Sequence, residues 1–306
     1  MDDSASQILG LFKSTSAKAG YMAAYDAVLG MWPVAYEELD VPTRYGATHV
    51  IASGSIDAPP LVLLPGFFCT ATAWRPNVEL FSRHFRVYAV DVIGQPGKSI
   101  ARQRIKSRRE FSDWLQDLLD ALHVHRADLV GNSFGGFLAM NQASLTPERV
   151  HRVVLISPAG VFMPYGRLKH VLLTLRDLVR RCLPGDKRPN SMSLWFGRDV
   201  VFDQSDANWV ALVEKAVSVV KINKISALFP REFSAAELAA IRAPTLLLIG
   251  EYERLYEPQE ALKRAGELMP GIDARMVPKA HHIAALAKPA EVNAQILRFL
   301  QSSIDQ

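Results

Sequence analysis

Six short apolar runs, most of them separated by a stretch with helical spacing, confine this chain to a small set of layered folds. The runs are Leu61–Leu64, Val87–Val90, Asp128–Gly131, Val153–Ile156, Thr245–Ile249 and Ala274–Val277. They are continuous rather than alternating, the pattern of strands buried on both faces. The helical stretches are Ala73–Phe85, Glu110–Leu122, Phe134–Leu145, Pro258–Leu268 and Ala290–Gln301. In the second of these, Phe111, Trp114, Leu115, Leu118, Leu119 and Leu122 share one face. The third stops before Pro147. Strands alternating with helices predict an α/β chain with a mostly parallel, doubly wound sheet covered on both sides.

The rhythm has a preface and an interruption. Residues 5–31 carry helical signals that end near Gly30 and Pro33, and Glu37–Ser53 reads as a hairpin turning at Tyr45-Gly46. Between about Gly160 and Ala243 the text is helix-rich and strand-poor, with helical spacing over Leu168–Arg181 and Asn208–Ile222 around a loop at Pro184–Asn190. An insertion of this kind between two sheet strands predicts a helical lid. Loops leaving the carboxyl ends of parallel strands carry the site in such sheets, so the lid is expected to lie over it. The expected division is an N-terminal helical segment (1–36), a core (37–159 and 244–306) and a lid, or cap (160–243).

Composition excludes several classes. The chain has 306 residues, 49% of them hydrophobic, enough for a buried core. No window approaches the roughly 18 to 20 uninterrupted apolar residues of a membrane helix. The first residues lack the basic start, apolar run and cleavage site of a secretory signal. The formal charge is +4. Its densest basic cluster, Arg102–Arg109, has no interleaved aromatics and reads as a solvated loop before a helix, so neither nucleic acid nor membrane is an expected partner. The two cysteines, Cys69 and Cys182, form no disulfide framework, which predicts a reduced, cytoplasmic setting.

Chemistry enters at Gly131-Asn132-Ser133-Phe134-Gly135-Gly136, a G-x-S-x-G sequence directly after a strand and directly before a helix. The turn that joins them is sharp, so the residues flanking the serine must be small. Gly131 and Gly135 let strand and helix approach, and Ser133 is left strained with its hydroxyl exposed. The helix start supplies free N–H groups and a positive dipole end beside a developing oxyanion.

With these residues in place the chain resembles the α/β-hydrolase family over roughly residues 40–303, and within it bacterial serine carboxylesterases with a helical lid. Leu61–Phe67 followed by Trp74 is similar to the family's strand, oxyanion loop and first-helix tryptophan. Asp91–Ser99 is similar to its D-x-x-G-x-G-x-S loop, and Pro244–Gly250 to the late strand that leads into the acid. One departure is clear: Pro65-Gly66 stands where many relatives have His-Gly, a histidine that is usually structural. The resemblance implies an oxyanion hole made by the backbone N–H groups of Phe134 and Phe67. Their side chains either line the pocket or pack as core. Gly97-Lys98-Ser99 imitates the end of a phosphate loop, but the glycine that pattern requires is Val92, so nucleotide binding is not expected.

A serine hydroxyl at neutral pH needs an acceptor with a pKa near 7, hence a histidine. Of eight, His281 and His282 follow the last strand and precede the last helix, completing the order serine, acid, histidine. The resemblance to the family's G-x-G-H pattern puts the base at His282. His49, His84, His123, His125, His151 and His170 read as core or surface residues. Relatives usually carry Asp at the third position after the late-strand glycine, where this chain has Glu253, and some bacterial carboxylesterases show a comparable G-E-x-E run. Glu251 reads as a loop residue and Glu257 as a charge at a helix start. At the other acid position known in the family stands Ser157, which has no carboxylate.

A serine nucleophile points away from the aspartate-dependent dehalogenases and epoxide hydrolases of this fold. It predicts transfer of an acyl group to water through an acyl-enzyme. The expected substrate is a carboxylic ester of a small, largely apolar molecule. Pocket contacts are expected from Phe68, Phe162, Trp195 and Trp209, each of which has core packing as its alternative. Cleavage of a carbon–carbon bond in a ring-fission diketone, or of a lactone, uses the same triad; a non-catalytic ligand receptor would usually have lost part of it. No metal and no cofactor are expected, because no His, Cys, Asp and Glu cluster has ligand spacing. A homodimer is open, and so is the task of the N-terminal helical segment: covering the pocket, pairing subunits or packing on the sheet.

Overall fold

The computed structural model describes residues 10–164, 207–226, 228 and 230–302. All six apolar runs are strands. The chain opens with helix α1 (Thr15–Leu29), started by Ser14, whose hydroxyl accepts from the Ala17 N–H. Strands β1 (Tyr36–Thr43) and β2 (Gly46–Ser53) form the hairpin, with Thr43 paired to Gly46, so the turn is Arg44-Tyr45, one residue earlier than the sequence suggests. The remaining strands are β3 (Pro60–Leu64), β4 (Arg86–Val90), the short β5 (Ile100–Ala101), β6 (Ala127–Asn132), β7 (Val150–Ile156), β8 (Thr245–Gly250) and β9 (Asp273–Val277). The sheet order is β1-β2-β4-β3-β6-β7-β8-β9, with β5 beside β2. From β4 to β9 the neighbours are parallel, and β1 and β2 are antiparallel.

The helices after α1 are α2 (Arg75–Phe81), α3 (Arg108–Ala121), α4 (Phe134–Leu145), α5 (Ala207–Val219), α6 (Ala235–Ala239), α7 (Pro258–Leu268), α8 (Ala284–Ala287) and α9 (Pro289–Gln301). The helix expected over Ala73–Phe85 is shorter: a 3₁₀ turn (Ala71–Trp74) leads into α2, with Pro76 in the first turn, where its missing N–H costs nothing. α3 starts earlier than its apolar face suggests. Ser107 and Glu110 form a reciprocal capping box, each side chain accepting from the other's N–H.

Strand residues alternate between two cores. Leu61, Leu63, Leu246 and Leu248 face the layer of α1, α2, α5, α8 and α9. Val62, Leu64, Leu247 and Ile249 face the layer of α3, α4 and α7. Tyr21, Tyr25, Val28 and Leu29 bury α1 in the first layer, so the N-terminal segment covers the sheet. It does so beside α5, a helix of the insertion. The Lys13 N–H bonds the Val219 carbonyl (2.9 Å) and the Lys221 N–H the Leu11 carbonyl (2.8 Å). The expected helix at Leu168–Arg181, the Pro184–Asn190 loop and Trp195 lie outside the described residues.

Strand order reverses about β3: the chain goes to β4 on one side and returns to β6 on the other. Loops leaving β3 and β6 therefore diverge, and the crevice between them is where such sheets bind ligands. Three backbones converge at that point. A Cβ built on Gly131 would lie 2.3 Å from the Gly135 carbonyl oxygen, and one on Gly135 would lie 2.0 Å from that of Leu64. Neither obstacle is a flexible side chain. Gly135→Ala should therefore force strand and helix apart, cost on the order of 2–4 kcal/mol and lower Tm by several degrees. Gly266→Ala is the control: the glycine lies inside α7 with nothing within 4 Å of the new Cβ, so a gain of about 0.5–1 kcal/mol is expected. Thermal denaturation of the two variants beside the parent checks both signs.

Candidate active site

The candidate nucleophile's position is built by strain and held by hydrogen bonds. Ser133 sits between β6 and α4 with φ 51° and ψ −111°, a left-handed backbone for a residue with a side chain. Such a conformation costs about 1–3 kcal/mol and persists only when its surroundings over-determine it. Here the Ser133 N–H bonds the Ile156 carbonyl (2.9 Å), while the Ser133 carbonyl accepts from Ala159 (3.0 Å) and Phe137 (3.1 Å). The serine is tied into both the neighbouring strand and the helix that follows it.

The loop after β3 lies against this serine. A Cβ on Gly66 would be 3.6 Å from the Ser133 Cβ and 3.5 Å from Asn132 Oδ1. Gly66–Cys69 is a tight turn closed by the Cys69 N–H on the Gly66 carbonyl (3.1 Å), with Phe68 at φ 63°. Phe134 is the first residue of α4, so its N–H has no acceptor within the helix. The Phe67 ring packs edge-on against both Phe68 and Phe134, at 4.7 and 5.7 Å between centroids. Beneath the loop, the buried Asp91 accepts from the N–H groups of Ala71 and Lys98, both at 2.7 Å. Burial pushes the Cys69 thiol up to about 12, so it stays protonated and offers no competing nucleophile.

The candidate acid and base come from the loops after β8 and β9. These loops touch: a Cβ on Gly250 would meet the His281 carbonyl oxygen at 2.4 Å. His282 Nδ1 and Glu253 Oε2 are 2.7 Å apart, with side chains only 3% and 0% exposed. Glu253 Oε1 accepts from its own loop, from the N–H groups of Arg254 (2.7 Å) and Leu255 (2.9 Å). Burial alone would raise the pKa of this carboxyl group. The charge and hydrogen bond of His282 and the backbone donor outweigh it and hold the group below its ordinary value, so it is ionised at neutral pH. Asn132, the residue before the serine, donates to the carbonyls of Ile156 (3.0 Å) and His282 (3.4 Å), joining the serine's turn to the histidine's loop.

The other candidates stand apart. Glu251 is exposed and accepts from the Lys279 N–H (2.8 Å). Glu257 is exposed at the start of α7. His281 is partly exposed, its ring against Tyr252. His49 is buried between Asp91 (3.2 Å) and Glu38 (2.9 Å); burial lowers its pKa, and the two carboxylates more than offset this and raise it. Of the expected pocket residues, Trp209 is buried and lines a crevice with Gly66, Cys69, Trp74 and Asn132. Phe68 is buried in the same layer, Phe162 in the opposite one, and Trp195 is outside the described residues. Sequence reasoning passed over Asn132, whose only signal was its place inside the G-x-S-x-G motif. Among the described residues, no helix is long and apolar enough to cross a membrane, and no three His, Cys, Asp or Glu side chains group as a metal site.

Residues 61–295 match the model of the alpha/beta hydrolase family. The chain is 36% identical over 96% of its length to carboxylesterase YbfK of Bacillus subtilis, covering 97% of that protein. It is 34% identical over 92% of its length to a second protein of that organism, the uncharacterized carboxylesterase nap, covering 92% of it. Among solved structures, naproxen esterase of B. subtilis superposes with a TM-score of 0.85 at 34% identity, over 94% of this chain and 100% of that one. A meta-cleavage product hydrolase (TM-score 0.68, 21% identity) shares the fold. With the sheet order, the strained serine and the buried carboxylate–histidine pair all in place, the chain belongs to the alpha/beta hydrolase family.

Proposed function

We propose that this protein is a serine carboxylesterase that hydrolyses esters of small, largely apolar molecules through an acyl-enzyme, with Ser133 as nucleophile, His282 as base and Glu253 as acid. The observation that carries the reading is the buried 2.7 Å contact between His282 Nδ1 and Glu253 Oε2, set beside a strained serine at the switch point of the sheet. Two relatives similar over nearly the whole chain bear the name carboxylesterase, which supports the ester as substrate class.

The chemistry follows from the geometry. An ionised Glu253 accepts the Nδ1–H of His282, which fixes the tautomer and leaves Nε2 to take the Ser133 proton. Ser133 Oγ attacks the ester carbonyl, and the developing oxyanion is met by the N–H groups of Phe67 and Phe134. The imidazolium returns its proton to the departing alcohol. Water, deprotonated by the same imidazole, then attacks the acyl-enzyme and releases the acid. The lid role expected of the insertion rests, among its described residues, on Trp209, which lines the crevice beside the serine's turn. The setting proposed is cytoplasmic.

Ser133→Ala should reduce turnover of a p-nitrophenyl ester by several orders of magnitude, leaving on the order of 10³ over water from oxyanion and binding contributions. Turnover at the parent level in a clean preparation, or a phosphonate probe labelling another serine, would remove the nucleophile from this assignment. Glu253→Gln should lower kcat by on the order of 10² to 10⁴, because an amide holds the ring by the wrong nitrogen and cannot balance the imidazolium. Glu251→Gln and Glu257→Gln should change it by less than about threefold, as expected of exposed loop charges. Steady-state kinetics and thermal midpoints of the three single variants decide where the acid is. An unaffected Glu253→Gln enzyme would place it elsewhere.

A further inference from the structure

The base proposed for this site arrives from far along the sheet. Its loop follows β9, which is separated from β6 by β7 and β8. At about 4.8 Å per strand, that is roughly 14 Å from the strand that ends at the serine. The loop has to fold back across the carboxyl ends of β8 and β7 and stay there. Contacts with the loop after β8 hold its near part. The Tyr252 N–H bonds the Ala280 carbonyl (2.8 Å), and Glu253 Oε2 meets the ring of His282 at Nδ1 (2.7 Å). Those contacts fix the ring relative to the acid. They do not fix it relative to the serine.

Asn132 supplies that link. It is the last residue of β6, buried, and precedes Ser133 in the chain. Its Nδ2 carries two hydrogens and donates to two carbonyl oxygens, that of Ile156 at 3.0 Å and that of His282 at 3.4 Å. Ile156 is its register partner on β7. One amide is thus braced on the neighbouring strand and reaches the backbone of the base. Oδ1 lies beside Gly66, where a Cβ would come within 3.5 Å of it. Two donors on one short arm are what this place requires. An aspartate would turn oxygens toward both carbonyls, and a leucine of similar shape would donate to neither.

We propose that Asn132 is a positioning residue for the general base, holding the backbone of His282 against the strand that ends at Ser133 so that the imidazole stays within reach of the serine hydroxyl. This rests on the esterase reading, in which His282 takes the serine proton and returns it to the leaving alcohol. A misplacement of about 1 Å in such a group costs on the order of 10²-fold in rate. Substrate binding involves no proton transfer, so affinity should be spared.

An ethyl ester and a p-nitrophenyl ester of the same short-chain acid separate this role from support of the serine's turn. The ethyl alcohol leaves with a proton from the imidazolium, whereas p-nitrophenolate leaves without one. Asn132→Leu should lower kcat on the ethyl ester about 10- to 100-fold with KM within about threefold. Its loss of kcat/KM on the p-nitrophenyl ester should be several-fold smaller. Asn132→Asp should lose at least as much as Asn132→Leu. His282→Ala, measured beside them, should show the same leaving-group pattern in larger degree. Losses on the two esters equal within twofold would assign Asn132 to the serine's turn and overturn the proposal, as would kinetics within twofold of the parent or a loss confined to KM. Should Asn132→Leu not fold, Asn132→Ala carries the same expectations. A parent without ester turnover, or a His282→Ala enzyme with parental kinetics, would instead remove the esterase reading on which the proposal stands.

Discussion

The whole site hangs on one steric fact: where β3, β6 and α4 converge there is no room for a single methyl group. A Cβ on Gly131 or Gly135 would sit inside the contact distance of backbone atoms of the neighbouring element. Because these backbones touch, the serine between them is driven into the left-handed region, and the helix that follows starts against the carboxyl ends of the two central strands. The loop after β3 then lies against the serine, and Asn132 ties the serine's turn to the loop after β9. The strain at Ser133 is offset by three backbone hydrogen bonds and by two layers of core that fix the strands.

The second constraint is electrostatic. Glu253 is a carboxylate almost without water, and burial of a charge is costly unless donors replace its hydration. Three do so: His282 on one oxygen and two loop N–H groups on the other. The balance holds the group's pKa below its ordinary value, as the role proposed for it requires. The same logic appears at Asp91, fully buried, whose oxygens take the N–H groups of Ala71 and Lys98 and so brace the loop after β3 from below. Each of these carboxylates organises backbone before it does anything else.

How far the sequence discloses this differs by element. The six strands were legible because burial on both faces leaves unbroken apolar runs, and the serine's turn because only glycine fits on either side of it. Glu253 was reached through the resemblance to relatives that carry an acid at the third position after the late-strand glycine, and it lies 2.7 Å from His282. Boundaries were less so. The hairpin turn came one residue early, since Thr43 and Gly46 pair across it, and α2 was shortened by a proline and a 3₁₀ turn. The place of α1 was illegible, because its apolar face is completed by residues far along the chain. Gln95 and Asn132 left no signal beyond their places as variable positions inside motifs. A buried amide in a loop looks like any polar loop residue until its partners, distant in sequence, are known.

The pairing of Leu11 and Lys13 with residues 219–221 bears on how the chain acquires its shape during synthesis. Lys13 and Ser218, joined by a side-chain hydrogen bond, are 205 positions apart. Helix α1 leaves the ribosome well before its partners: the helix beside it and much of the sheet face it covers come from residues made much later. At elongation rates of about 5–20 residues per second it waits on the order of ten seconds or more with its tyrosines uncovered. An isolated helix of 15 residues is marginal in water. An element made early thus docks late, and until then its apolar face is open to a chaperone or to another unfinished copy.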